Sequence, residues 1–204
     1  MVTQRELQAE VTREKILEAA AEEIYRVGFQ AASLCEILKR LGISKGALYH
    51  HFPSKLELGY AVLDDLLLGP TGAAWDAALN QEDPIAGLCA LLEDAAQGLS
   101  GNRLICGCPI NNLAQEMSSV DEGFRVRIEK IYRVWHRRVQ NALAGAQQRG
   151  QLRADFDASE EAYFVIASLQ GAIGLAKNAR DCGIFRSSIK GLSGYLKNLR
   201  KMTA

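Results

Sequence analysis

Residues 33–55, SLCEILKRLGISKGALYHHFPSK, constrain this chain more tightly than any other stretch. Ser33 is a good N-cap for a helix that carries Leu34, Ile37, Leu38 and Leu41 on one face. Gly42 follows the last periodic residue, where a left-handed turn ends a helix. Ser44 then caps a second short helix from Lys45 to about His51, anchored by Ala47, Leu48 and Phe52, while Lys45, Tyr49 and His50 can point outward. Pro53 stops it, and Ser54 with Glu57 three residues on forms a capping box for the next helix. Two short helices joined by a glycine-containing turn make the helix-turn-helix plan, whose second helix enters the major groove of DNA.

The block from Gly28 to Lys55, with its run GISKGALYHHFPSK, is similar to the DNA-binding domain of the TetR-family transcriptional regulators; the likeness spans roughly residues 10–58. Ala32 stands where members often carry Thr, and Leu38 where helix-turn-helix proteins usually carry a small residue, which implies an adjusted angle between the two helices. The resemblance implies an all-α chain of about nine helices. A three-helix helix-turn-helix DNA-binding domain is expected at 1–58, and a helical ligand-binding and dimerisation bundle at 59–204. It also implies a ligand-responsive regulator: a repressor that binds a palindromic operator as a homodimer and is released by a small, mostly apolar effector. The expected DNA-contacting positions are Ser33, Ser44, Lys45, Gly46, Tyr49, His50 and Lys55. Lys45 sits at the leading end of its helix, within reach of base edges, and Tyr49, His50 and Lys55 suit phosphate oxygens.

Charge supports a small footprint rather than a long basic groove. The 24 basic side chains are balanced by 24 acidic ones, unlike a protein that coats nucleic acid nonspecifically. Lys39, Arg40, Lys45 and Lys55 face only Glu36 within the motif. No secretory-type leader is read before Thr3 and no apolar run approaches spanning length, which predicts a soluble, cytoplasmic protein. Cysteines at 35, 89, 106, 108 and 182 are odd in number and scattered, unlike a secreted disulfide framework. No metal site and no cofactor are expected. Histidines occur only at 50, 51 and 136, and neither a phosphate-cradling glycine loop nor a nucleophile elbow occurs, so the chain does not read as an enzyme.

Beyond the motif the chain reads as successive helices. The first covers 3–27; the fourth runs from Ser54 to Leu68, where Gly69-Pro70 breaks it as a plausible hinge, and a further turn or two continues to Leu79. Asp83-Pro84 opens another helix fading near Gly98, a loop is expected at 101–108, and Pro109 opens a helix through Met117. Asp121 caps the longest amphipathic segment, whose stripe is Phe124, Ile128, Ile131, Tyr132, Trp135, Val139 and Leu143. Its arginines read as a solvated face. Ser159 is the expected cap of a helix that is apolar almost all round over 162–176, and Ile184–Lys201 is the last helix. A helix apolar on two sides needs two partners: its own core and a second subunit. Ile166, Gly171, Ile173, Gly174, Ile189, Leu192 and Leu196 are the expected dimer interface.

For the effector cavity the candidates are Trp75, Cys106, Cys108, Asn111, Asn112, Tyr132, Trp135, His136, Tyr163, Phe164 and Gln170, although each taken singly is more often plain core. Two other functions stay open: a thiol-based sensor of electrophiles or oxidants through Cys106 or Cys108, and a helical adaptor that does not bind an operator.

Overall fold

The computed structural model describes residues 3–68, 70–98 and 101–201. It is all-α, with eleven helices among those residues: α1 (Gln4–Val27), α2 (Leu34–Leu41), α3 (Lys45–His51), α4 (Lys55–Leu68), α5 (Pro70–Leu79), α6 (Pro84–Gly98), α7 (Gly101–Cys106), α8 (Pro109–Met117), α9 (Glu122–Gln148), α10 (Ala158–Ala179) and α11 (Cys182–Lys197). None of them is long and apolar enough to cross a membrane. The break expected at Gly69-Pro70 falls on Gly69, which lies outside the described residues.

The caps written in the sequence set most boundaries. Thr3 and Glu6 close a reciprocal capping box on α1. Ser33, Ser44 and Ser54 accept the amides of Glu36, Ala47 and Glu57 at 3.4, 3.2 and 3.1 Å. Gly42 ends α2 at φ 65°, ψ 28°, the left-handed conformation that a Cβ disfavours. Two caps differ from expectation. Asp157, not Ser159, caps α10, taking the Ser159 and Glu160 amides at 2.7 and 3.0 Å. Asp181 caps α11, which therefore starts two residues before Ile184. In both places a carboxylate offers the incoming amides a charged acceptor and wins over the later residue. The stretch 101–108, expected as loop, contains α7, because Leu104 is drawn into the core of the helices around it.

The chain divides into two compact units, Met1–Leu68 with Pro109–Ile128, and Gly69–Cys108 with Glu129–Ala204. In the first, α1–α4 form the head, with Ile16, Ala20, Ile37, Leu48, Phe52, Leu58 and Leu63 buried. Against α1 and α4 stand α8 and the first turns of α9. Phe124 is fully buried, its ring 4.5 Å from Phe29 and 5.3 Å from Tyr60. Gly59 makes room: a Cβ there would lie 2.5 Å from the Phe29 ring and 2.7 Å from that of Phe124.

Beside this cluster the Tyr60 hydroxyl donates to Asp121 Oδ1 at 2.7 Å, and the same oxygen takes the Phe124 amide at 2.8 Å as the cap of α9. The Phe124 amide first, then the Tyr60 hydroxyl, hold the Asp121 carboxyl below its ordinary 3.8. The Asp121 bond in turn pushes the Tyr60 phenol up. A carboxyl whose folded pKa is lowered contributes stability that is present above its unfolded value and lost as pH falls through the folded one. Tyr60→Phe is therefore expected to move the acid-unfolding midpoint of the protein to higher pH; an unchanged midpoint would show that the amide cap alone sets Asp121.

The second unit is a bundle of α5, α6, α7, the rest of α9, α10 and α11 around one core that includes Leu88, Leu92, Val139, Leu143, Ala162, Val165, Phe185 and Leu196. The tail after α11 folds back, Leu152 bridging Arg200 and the Arg200 guanidinium reaching Asp83 at 2.6 Å.

Candidate nucleic-acid interface

Helix α3 is short and cannot hold itself in water; tertiary contacts hold it. Leu48 and Phe52 are buried beneath it, and Arg13 of α1 lies over the Phe52 ring at 5.5 Å. The opposite side is free. Ser44, Lys45, Gly46, Tyr49 and His50 are all exposed. Lys45 Nζ stands 5.6 Å from the Tyr49 ring centre, one helical turn away, so the cation and the phenol occupy one patch. Ser44 spends its oxygen as the α3 cap but keeps a hydroxyl proton to donate.

Two expected contacts, and one basic group of the motif, stand differently. The Ser33 hydroxyl is committed to capping α2 and is only half-exposed. Lys55 Nζ donates to the Gln30 carbonyl at 3.0 Å and lies over the Phe29 ring at 5.0 Å, so its ammonium already has a partner in the head. Arg40 is not free of acidic partners, because it pairs with Glu22 of α1. Reading the motif by itself missed Glu22, which sits 18 positions earlier and meets Arg40 only once α1 and α2 pack. Arg13 of α1, half-exposed near α3 and 3.7 Å from Glu10, is a further basic group beside the motif.

The arginines of α9 are largely taken. Arg125 pairs with Glu122 at 2.6 Å, Arg127 with Asp64 at 3.4 Å, Arg138 with Asp76 at 3.0 Å, and Arg133 with Glu129.

The candidate effector residues do not form one set. Asn111 and Asn112 belong to α8 in the first unit, the others to the second. Tyr132 packs edge-on to Trp135 at 5.5 Å, and burial, with the Cys108 thiol nearby, pushes its phenol up to about 12. Cys106 and Cys108 are both half-buried. His136 Nε2 is 3.0 Å from the Ser159 carbonyl and 3.2 Å from its hydroxyl, and its ring stacks on Tyr163 at 3.9 Å. Trp75 packs on the core of the second unit. Gln170 Oε1 is buried with no hydrogen-bond partner. Tyr163 and Phe164 lie instead on the outside, 64% and 47% exposed, the Phe164 ring 4.7 Å from Tyr195. A cleft of about 350 Å³ in the second unit is lined by other residues, among them Asp76, Arg138, Asn141 and Arg149.

Helix α10 carries two stripes. Ala162, Val165, Ala172 and Ala176 are buried, whereas Phe164, Ser168, Gly171 and Leu175 line an outer groove of about 330 Å³ with Ser188, Gly191 and Tyr195 of α11. Of the residues expected at a dimer interface, Ile189, Leu192 and Leu196 are buried in the protomer's own core, and Leu192 also borders the outer groove. They recur at the spacing that faces α6 and α10, and the outward phase of α11 belongs to Ser188, Gly191 and Tyr195. Ile166, Ile173 and Gly174 are half-buried and Gly171 is exposed.

Residues 16–62 match the family described as bacterial regulatory proteins, tetR family, and residues 84–191 the tetracyclin repressor-like C-terminal domain. An HTH-type transcriptional regulator from the lacX 3' region of Lactococcus lactis subsp. lactis is 30% identical, over 87% of this chain and 89% of that protein. The transcriptional regulator AcuR of Cereibacter sphaeroides is also 30% identical, over 83% and 78%. A TetR transcriptional regulator of Chloroflexus aurantiacus superposes with a TM-score of 0.84 at 24% identity, covering 96% of this chain and 99% of that one. With a capped, core-backed helix-turn-helix in the matched N-terminal segment and a helical bundle in the matched C-terminal one, the chain belongs to the TetR family of bacterial regulatory proteins.

Proposed function

We propose that the protein is a repressor that binds a palindromic operator as a homodimer, acts in the cytoplasm, and is released by a small, mostly apolar molecule. One observation carries the DNA-binding part: α3 presents Ser44, Lys45, Gly46, Tyr49 and His50 on one exposed side while Leu48 and Phe52 pin the other into the core. A polar, basic helix face on a rigid backing suits insertion into a major groove. Lys45 reaches base edges from the leading end, Gly46 admits the DNA backbone closely, and Tyr49 and His50 donate to phosphates. The amides opening α4 add a further phosphate contact, while Lys55 holds the Gln30 carbonyl beside them.

The test uses a duplex selected by the wild-type protein from a random library. Lys45→Ala is expected to lower affinity about 10-fold and to reduce the salt slope by about one ion. Tyr49→Phe is expected to lower affinity with the slope unchanged, because the lost donor is neutral. Unchanged affinity in both variants would remove α3 from the interface. Failure of the wild-type protein to select any duplex would favour the adaptor function.

The homodimer is supported by the outer side of α10 and α11. Inside a helix, glycine costs about 1 kcal/mol relative to alanine. Gly171, Gly174, Gly191 and Gly194 nevertheless have open space where a Cβ would stand, so the chain's own packing does not require them. Close approach of a second backbone would. Flanked by exposed Phe164, Leu175 and Tyr195, the two helices pair with their symmetry mates in a four-helix interface. A two-fold dimer then sets the two α3 helices about 34 Å apart, one turn of DNA.

For the effector, Tyr132, Trp135 and Trp75 supply apolar surface, and the orphaned Gln170 Oε1 supplies an acceptor for a donor group on the molecule. The thiol-sensing function is favoured by one feature, the half-buried Cys108 beside the Tyr132 phenol. Loss of duplex binding on treatment with hydrogen peroxide, abolished by Cys106→Ser or Cys108→Ser, would establish it in place of a ligand.

A further inference from the structure

We propose that Glu116 of α8 is a positioning residue for DNA reading, holding the corner from which the helix-turn-helix hangs. Its two carboxylate oxygens accept the two consecutive backbone amides after α1, Phe29 N–H at 2.9 Å and Gln30 N–H at 2.7 Å. Paired amides facing one way form a concave anion seat, and here the anion is a side chain 86 residues farther along the chain. Gly28 makes the seat possible, since it sits at φ 85° and a Cβ there would stand 2.8 Å from Glu116 Oε2. On the other side of the corner Lys55 Nζ takes the Gln30 carbonyl at 3.0 Å, and the Ala32 amide closes the turn on the Gly28 carbonyl at 3.1 Å. The next residue is Ser33, the cap of α2.

Residues 28–32 are thus clamped from α8 through their amides and from α4 through a carbonyl, and they are the chain's entry into α2 and α3. Moving α8 moves the seat, and with it the origin of the DNA-reading pair. Glu116 itself needs no contact with DNA. This role rests on α3 being the DNA-reading helix.

The experiment compares wild type with Glu116→Gln, which keeps the shape but turns one acceptor into an NH2 group facing an amide donor, and with Glu116→Ala. Hydrogen exchange is measured across the chain, and affinity and its salt dependence with the duplex selected by the wild-type protein. Amides in 28–52 are expected to exchange at least about 10-fold faster in both variants while α9 keeps its protection. Affinity is expected to fall about 10-fold with an unchanged salt slope, because no phosphate contact is lost. Full affinity despite faster corner exchange, or unchanged corner exchange, would overturn the proposal. So would a loss of protection spread evenly through the first unit, which marks a merely structural role. Failure of wild type to select a duplex would instead strike at the DNA-reading function itself. Should Glu116→Ala fail to fold, the isosteric Glu116→Gln decides.

Discussion

A protein carrying Leu175→Arg is expected to sediment as a monomer, its dimer dissociation constant raised about 10³-fold. Leu175 is 63% exposed in the chain taken alone and stands at the C-terminal part of the outer stripe of α10. A buried apolar anchor at an interface contributes about 2 kcal/mol. A two-fold axis counts each substitution twice, giving about 4 kcal/mol, close to three decades. The fold of each copy should survive, since no core atom is touched. Helical content and thermal midpoint at matched monomer concentration check that, while sedimentation or light scattering reads the assembly. A dimer of undiminished affinity would place the interface on another face. Leu196 offers the contrast: at 0% exposure it acts on folding, so a charge there reports on the core and not on assembly.

Phe124→Ala is expected to destabilise the first unit by about 3–5 kcal/mol, the cost of truncating a fully buried aromatic whose neighbours cannot close the cavity. The neighbours are two rings, Phe29 at 4.5 Å and Tyr60 at 5.3 Å, with Gly59 beneath offering no side chain to move in. For a chain of this size the thermal midpoint should drop by about 10 °C. Because Phe29 adjoins the α1–α2 corner, DNA affinity should fall well below the melting range as well. A midpoint lowered by less than about 3 °C would mean that the aromatic cluster collapses onto the gap.

Where a residue's job is local, the chain announces it. Ser33, Ser44, Gly42 and Pro84 mark helix ends by chemistry that acts within four residues, and the structure places the ends there. The inward stripe of α9 is equally plain, with Phe124, Ile128, Ile131, Val139 and Leu143 all buried. Long-range jobs stay hidden. Nothing near Arg40 points to Glu22, and nothing near Gln30 points to Glu116. The outer side of α11 was hidden for a related reason. Ile189, Leu192 and Leu196 are among its most apolar residues, and the protomer core claims such residues first, so that its groove side is mostly Ser188, Gly191 and Tyr195. Helix α7 was illegible because its helicity comes from the burial of Leu104, not from caps or propensity.

The two stripes of α10 bear on gene dosage. A lone copy leaves Phe164 and Leu175 in water, and in the dimer proposed above the paired form would grow, at low abundance, with the square of concentration. Occupancy of a site read only by pairs then falls faster than the protein itself is diluted by growth and division. On that proposal, a bacterium that halves its content of this chain would lose up to three-quarters of its pairs. Under the proposed repressor function, derepression would then steepen as protein number falls, with no effector present.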